Sequence, residues 1–268
     1  MADVHLLVQD RVATVTLDRP PVNALAYETF AAIADSFEEL SAGREASVAI
    51  LRSANERIFC AGVDLEDSPR RHRTDGRRHD GGEQGDPRDQ LDPGRIVRRC
   101  FSAVRDCAVP VIAALDGKAI GAGTALLGCC DLVVATDRAT LALTEINVGV
   151  LGGVRHAQRL VGRSLARRMF LTGEPVSAQE VWRRGGLEAV VAPEDLLTTV
   201  SALAATIAAK SPIAVRLAKE SANRVEDMPL DEGYRLEQDY TSRVRRYADS
   251  DAARRATMEK RAPDFRWE

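Results

Sequence analysis

The sequence predicts an α/β fold in which a mixed sheet is layered against helices. Three observations predict it. The first half alternates β-rich apolar runs with runs of helical spacing. Its first two β runs are joined by three polar residues, which makes an antiparallel hairpin, whereas later strands are separated by helices. After Gly162 the chain reads as almost all helix, in segments broken at Gly173, Gly185-Gly186, Pro193, Pro212 and Pro229.

Taken in order, Val4 to Val8 and Val12 to Leu17 form the hairpin around Gln9-Asp10-Arg11. Leu25 to Leu40 places Phe30, Ile33, Phe37 and Leu40 at helical spacing, with acidic residues on the other face. Ser47 to Leu51 reads as a buried strand. Ile96 to Val104 is helical, with Ile96, Val97, Cys100, Phe101 and Val104 on one side. Val109 to Leu115 is a nearly continuous apolar strand, the pattern of a strand covered on both faces. Gly121 to Cys130 is small and apolar, suiting a helix packed against backbone, and Leu132 to Ala135 and Thr140 to Leu143 are short strands. The division this implies is a core over 1–195 and a helical region over 196–268.

The segment from Glu66 to Arg95 stands apart. It holds seven arginines, eight acidic residues and one large apolar residue, Leu91. Such a stretch buries too little apolar surface to offset its ordering entropy. Its length suits an active-site lid. His72 and His79 within it lack ligand-spaced partners, so no metal site is expected.

Composition narrows the function. The chain has 268 residues, a net charge of −3 and only 4% aromatic residues, so a nucleic-acid surface is not expected. No apolar run is long enough for a membrane span. Met1 to Val4 shows neither a charged nor an apolar leader region, and a cytoplasmic location is expected. The cysteines, Cys60, Cys100, Cys107, Cys129 and Cys130, are odd in number and lack metal spacing, so buried free thiols are expected.

Two glycine turns follow strand patterns: Phe59-Cys60-Ala61-Gly62-Val63-Asp64-Leu65 and Asp116 to Thr124, the latter containing Gly121-Ala122-Gly123. Glycine at a strand end lets backbone N–H groups approach a ligand. Gly121-Ala122-Gly123 also opens a helix, whose first N–H groups lack partners. Two such groups aimed at one oxygen would form an oxyanion hole. The third glycine of a dinucleotide fingerprint is absent, and there is no Walker lysine.

These turns belong to a longer order of motifs. Leu17-Asp18-Arg19-Pro20-Pro21-Val22-Asn23-Ala24-Leu25 comes first, then the Gly62 turn, then Pro110 to Gly117 and Gly121-Ala122-Gly123. Cys130-Asp131, Thr144-Glu145-Ile146-Asn147-Val148-Gly149, Gln158 to Gly162, Leu171-Thr172-Gly173, Lys219-Glu220-Ser221 and Glu259-Lys260-Arg261 follow. The chain resembles the enoyl-CoA hydratase/isomerase (crotonase) family along nearly its whole length, the charged segment excepted. The resemblance implies a spiral of ββα units with a helical C-terminal trimerisation region, assembled as a homotrimer or a dimer of trimers. It implies an acyl-CoA thioester as substrate, with no cofactor beyond the coenzyme A that the substrate carries. It also implies that the N–H groups of Val63 and Ala122 hold the thioester oxygen of an enolate.

The departures from the family pattern sharpen this. Hydratases of the family carry two glutamates. The second matches Glu145, but the place of the first is Ala125. Hydration needs one group to activate water and one to protonate the α-carbon, and alanine does neither. Moving a double bond from the 3- to the 2-position needs one carboxylate, which takes a proton and returns it elsewhere. Glu145, set among Leu141, Leu143, Ile146 and Val148, is expected to have a raised pKa suited to that. A hydratase recruiting Asp64, Glu66, His156 or a lid residue is the alternative, as is an acyl-CoA-binding homologue without turnover. His156 stands, with Arg155, where relatives have a glycine-rich stretch, and is a candidate auxiliary group. Where many relatives carry a CoA-binding lysine the chain has Pro21, leaving the phosphates to arginines such as Arg19 or those of the charged segment. By position in the motifs, Ala61, Asp64 and Gly121 are expected to line the substrate, and Lys260 and Phe265 to meet CoA from an adjacent subunit.

Overall fold

The computed structural model describes residues 3–64, 88, 91–92 and 94–268. The charged segment that the sequence suggests as a lid, with His72 and His79, lies almost wholly outside these residues.

The hairpin forms as expected. β1 (Val4–Gln9) and β2 (Val12–Leu17) pair antiparallel, and Asp10 and Arg11 turn the chain at positive φ. β2 then runs parallel to β3 (Val48–Ser53), β3 to β5 (Val111–Leu115), β5 to β7 (Leu132–Thr136) and β7 to β10 (Ala189–Val191). The result is a six-stranded sheet in the order β1-β2-β3-β5-β7-β10. β5 is buried at every residue and the first four residues of β3 are too, as central parallel strands covered on both faces require.

A second sheet has four short strands in the order β4-β6-β8-β9: β4 (Ile58–Cys60), β6 (Lys118–Ile120), β8 (Thr140–Ala142) and β9 (Val176–Ser177). Each of its first three strands follows shortly after a strand of the large sheet. The chain therefore advances as strand, strand, helix, and repeats, which is the spiral that the resemblance implies.

Helix α1 (Tyr27–Ala42) buries Phe30, Ile33, Phe37 and Leu40, and α2 (Arg95–Arg105) buries Ile96, Cys100, Phe101 and Val104. The two faces meet, with Phe30 and Phe101 edge to face at 6.2 Å between ring centres. Burial of side chains this size contributes about 1.5–3 kcal/mol each, so removing Phe30, which is fully buried, would empty the centre of this contact. The short α3 (Ala122–Leu127) is wholly buried between them and α4 (Val154–Thr172), whose axis breaks at Gly162.

The latter half is less uniformly helical than its sequence suggests. After α4 the chain adds β9, α5 (Ala178–Arg183) and β10 before α6 (Leu196–Ala208), α7 (Pro212–Val225), α8 (Leu230–Val244) and α9 (Ala248–Met258). Strands of two and three residues leave no period to detect; they form because the edges of both sheets offer partners. α6 lies beyond the boundary read at 195, yet Leu196, Val200, Ala204 and Ala208 cover the large sheet at Val48, Ile50, Ile112, Ala114 and Val134. The last seven residues return to the body. Buried Asp249 accepts hydrogen bonds from Arg266 N–H at 2.8 Å and Ser211 Oγ at 2.9 Å, and Trp267 lies against Arg216 at 5.0 Å.

Candidate active site

The site forms where β4 and β6 end side by side. β4 and β6 pair in parallel, so the turns that follow them, at 61–63 and 121–122, leave the sheet together. They touch: a β-carbon on Gly62 would stand 3.0 Å from the Ile120 carbonyl oxygen and 3.7 Å from Ala122 N. Gly62 has φ +94° and Gly121 φ +55°, a region that side-chain-bearing residues rarely enter, so both turns need glycine.

The N–H groups follow from these turns. Leu25 N–H donates to Gly62 O at 2.7 Å, and Asp64 N–H donates to Leu25 O at 3.0 Å. Val63 is thus bridged to Leu25 through its neighbours, and its own N–H points the other way, to the side where β6 lies. Ala122 is the first residue of α3, where an N–H has no partner within the helix. Among the described residues neither N–H donates to any group. The base of α3 is fixed by Gly121 N–H donating to Ala142 O at 2.8 Å, and by the Thr124 hydroxyl, 2.8 Å from Ala119 O and 2.9 Å from Ala142 O.

Glu145 begins a 3₁₀ turn, Glu145–Val148, just after β8, the strand that pairs with β6. Its carboxylate reaches back over Gly121. A β-carbon there would stand 2.6 Å from Oε1, and one on Gly152 would stand 3.7 Å from the same atom. Oε2 is buried and has no hydrogen-bond partner among the described residues. Loss of hydration holds the Glu145 pKa above the ordinary carboxylate value, opposed only by its own backbone N–H. One carboxylate with a raised pKa therefore sits beside the residue that precedes a free amide.

The place of a second carboxylate holds only a methyl group. Ala125 has no exposed surface, and Gly153 adjoins it: a β-carbon at 153 would lie 3.4 Å from Ala125 Cβ, an ordinary contact, and 3.1 Å from Leu143 Cδ2. Among the described residues no cluster of side chains able to hold a metal is present.

The remaining sequence candidates fall in several places. Ala61 is part of the Gly62 turn, its N–H donating to Val22 O at 3.1 Å. Asp64 continues that turn and pairs with Arg19 at 2.8 Å. His156 is not brought to Glu145. Its ring meets Phe101 edge to face at 4.9 Å, and it lines an open groove of about 250 Å³ with Arg105, Arg155 and Arg159. Burial first, then these arginines, push its pKa below the usual histidine value, so it stays neutral there. A contact between α2 and α4 accounts for the position of this histidine. Lys260 is exposed past the end of α9, and Phe265 lies half-buried in the C-terminal segment.

Arg19 changes its reading. Its guanidinium spans Asp3 at 3.3 Å, Asp64 at 2.8 Å and Ala24 O at 2.9 Å. With every nitrogen engaged, it braces the Gly62 turn rather than standing ready for phosphates. Asn23 adds to the brace: it is 2% exposed, has φ +52°, and donates to Ser53 Oγ and Phe59 O. Both lie in the Arg19-Pro20-Pro21-Val22-Asn23 run, where two prolines and an asparagine are the sequence signal of a turn.

Comparison with known proteins shows the family. The description of the enoyl-CoA hydratase/isomerase family matches residues 8–268. The chain belongs to that family. A (7aS)-7a-methyl-1,5-dioxo-2,3,5,6,7,7a-hexahydro-1H-indene-carboxyl-CoA hydrolase of Rhodococcus jostii is 37% identical over 87% of this chain and 84% of its own. An (E)-benzylidenesuccinyl-CoA hydratase of Thauera aromatica is 32% identical over 98% of both chains. The crystal structure of an enoyl-CoA hydratase from Bacillus anthracis superposes with a TM-score of 0.87 at 28% identity over the whole of both chains. As a member of the enoyl-CoA hydratase/isomerase family, the chain is an acyl-CoA enzyme with the family's fold.

Proposed function

We propose that this enzyme acts on an acyl-CoA thioester through an enolate, with Glu145 as its one proton carrier and the Val63 and Ala122 amides holding the oxygen. The observation that carries the proposal is the buried, unpartnered Oε2 of Glu145 beside Gly121. The reaction that asks for nothing more is conversion of a 3-enoyl-CoA to a 2-enoyl-CoA. Glu145 takes a proton from carbon 2, and the electrons pass into the thioester oxygen, where two fixed N–H dipoles stabilise them without reorganising. The carboxylic acid so formed returns the proton to carbon 4. A raised pKa brings the Glu145 acid and base forms closer in energy, which helps one group serve both steps.

Hydration is disfavoured because Ala125, which can neither activate water nor deliver a proton, stands where hydratases carry their first glutamate. Hydrolysis is the second reading. Relatives named as CoA hydrolases from Rhodococcus jostii and Mycobacterium tuberculosis are 37% and 34% identical. A single carboxylate that activates water, with an enolate held in the same amide pair, suits that chemistry too. For either reading, Ala61, Asp64 and Gly121 border the substrate, and Lys260 and Phe265 reach CoA from a neighbouring subunit of a homotrimer or dimer of trimers.

The test supplies purified enzyme with 3-enoyl-, 2-enoyl- and cyclic 3-oxoacyl-CoA substrates and follows product masses. Isomerisation that falls at least about a hundredfold in Glu145→Gln supports the first reading. Water-dependent cleavage with the same dependence supports the second, and turnover unaffected by the substitution refutes both.

A further inference from the structure

We infer that Cys60 is a positioning residue that sets the aim and spacing of the two oxyanion amides. Cys60 ends β4 with no exposed surface. Its Sγ accepts a hydrogen bond from Gly62 N–H at 3.4 Å, which ties down the Ala61–Gly62 peptide, one unit before the peptide that carries the Val63 amide. The same side chain presses on the second turn. A β-carbon on Gly123 would lie 2.8 Å from Cys60 Cβ, 3.1 Å from its Sγ and 2.7 Å from its carbonyl oxygen. Gly123 follows Ala122 directly. One side chain is thus bonded to the residue before one amide and packed on the residue after the other.

A sulfur suits this place. Burial pushes the Cys60 pKa up to about 12, so the group is a neutral thiol that accepts a bond from Gly62 without adding negative charge beside an enolate. The thiol reacts with nothing; it acts only through the geometry of the two turns. A peptide turned away from the oxygen loses part of the benefit of a donor whose full removal costs about a hundred- to a thousandfold in other enzymes.

The inference rests on the oxyanion role proposed above, so its test separates the two. Cys60→Ala removes the acceptor, Cys60→Ser restores one, and Cys60→Val, which fills the space without an acceptor, serves should the alanine variant not fold. Each is mixed with an arylacryloyl-CoA thioester, whose absorption moves to longer wavelength as its carbonyl is polarised, and each is assayed for turnover. The expected result is a clear red shift on the unmodified enzyme that shrinks in the alanine or valine variant. Their kcat falls about tenfold, KM stays within about twofold, and serine recovers most of both. A structural role alone would lower the melting temperature and leave the red shift and kcat intact, and that result overturns the inference. No red shift on the unmodified enzyme overturns the oxyanion reading itself, and this inference with it.

Discussion

Replacing Gly121 with alanine probes the site at its narrowest point. The added β-carbon would stand 2.6 Å from Glu145 Oε1 and 3.2 Å from its Cδ, whereas ordinary contact begins near 3.4 Å. The carboxylate must retreat by about 0.8 Å, and a misplacement near 1 Å costs about a hundredfold in rate. The backbone adds its own cost, because φ +55° with ψ −116° is unsuited to alanine and strain of this kind is worth about 1–3 kcal/mol. Gly162→Ala separates the two effects. Gly162 has φ +71° but nothing within 4 Å of the added carbon. Both variants should lose stability in denaturant titration, while only Gly121→Ala should lose about a hundredfold in kcat. Equal activity in the two would refute the claim that Glu145 works from its position over Gly121.

Further outcomes follow from individual groups. Since burial raises the folded pKa of Glu145, its contribution to stability is present below the unfolded value and is lost as pH rises through the folded one. Glu145→Gln should therefore hold or raise the melting temperature at pH 7 while abolishing turnover, and the acid limb of the wild-type rate profile should lie above an ordinary glutamate pKa; a limb at or below that value contradicts the desolvation. Lys219, 7% exposed, bonds Val109 O at 3.1 Å and Asp131 at 2.8 Å. Lys219→Met should cost about 1.5 kcal/mol in chemical denaturation, the low end for a lost bond to a charged group, because Asp131, the charge left behind, is exposed and keeps its bond from Val111 N–H. All five thiols are free and buried, so a thiol reagent should label them only at the rate of unfolding. Rapid labelling of any one in the native protein would contradict its placement.

Some of this was legible in residue order and some was not. The helix over 95–105 and strands β3 and β5 show in the sequence because burial on one stripe or on both faces writes a period into it. β4 and β6 do not, since three residues carry no period, and these two strands aim the amides. Glu145 and the loss at Ala125 were readable from the motif resemblance. That Gly153 and Leu143 come to lie beside Ala125 was not, because it depends on where α4 starts relative to α3. The partners of Arg19 and His156 were hidden for a common reason. Each looked available because its partners, Asp3 and Asp64 for one and Phe101 for the other, are distant in sequence or across a turn.

The most direct test is a crystal structure with a non-reactive acyl-CoA thioester bound. The proposed chemistry places the thioester oxygen about 3 Å from both Val63 N and Ala122 N, with the Glu145 carboxylate facing carbon 2. A thioester oxygen bound to other donors, or a carbon 2 beyond reach of Glu145, would contradict it.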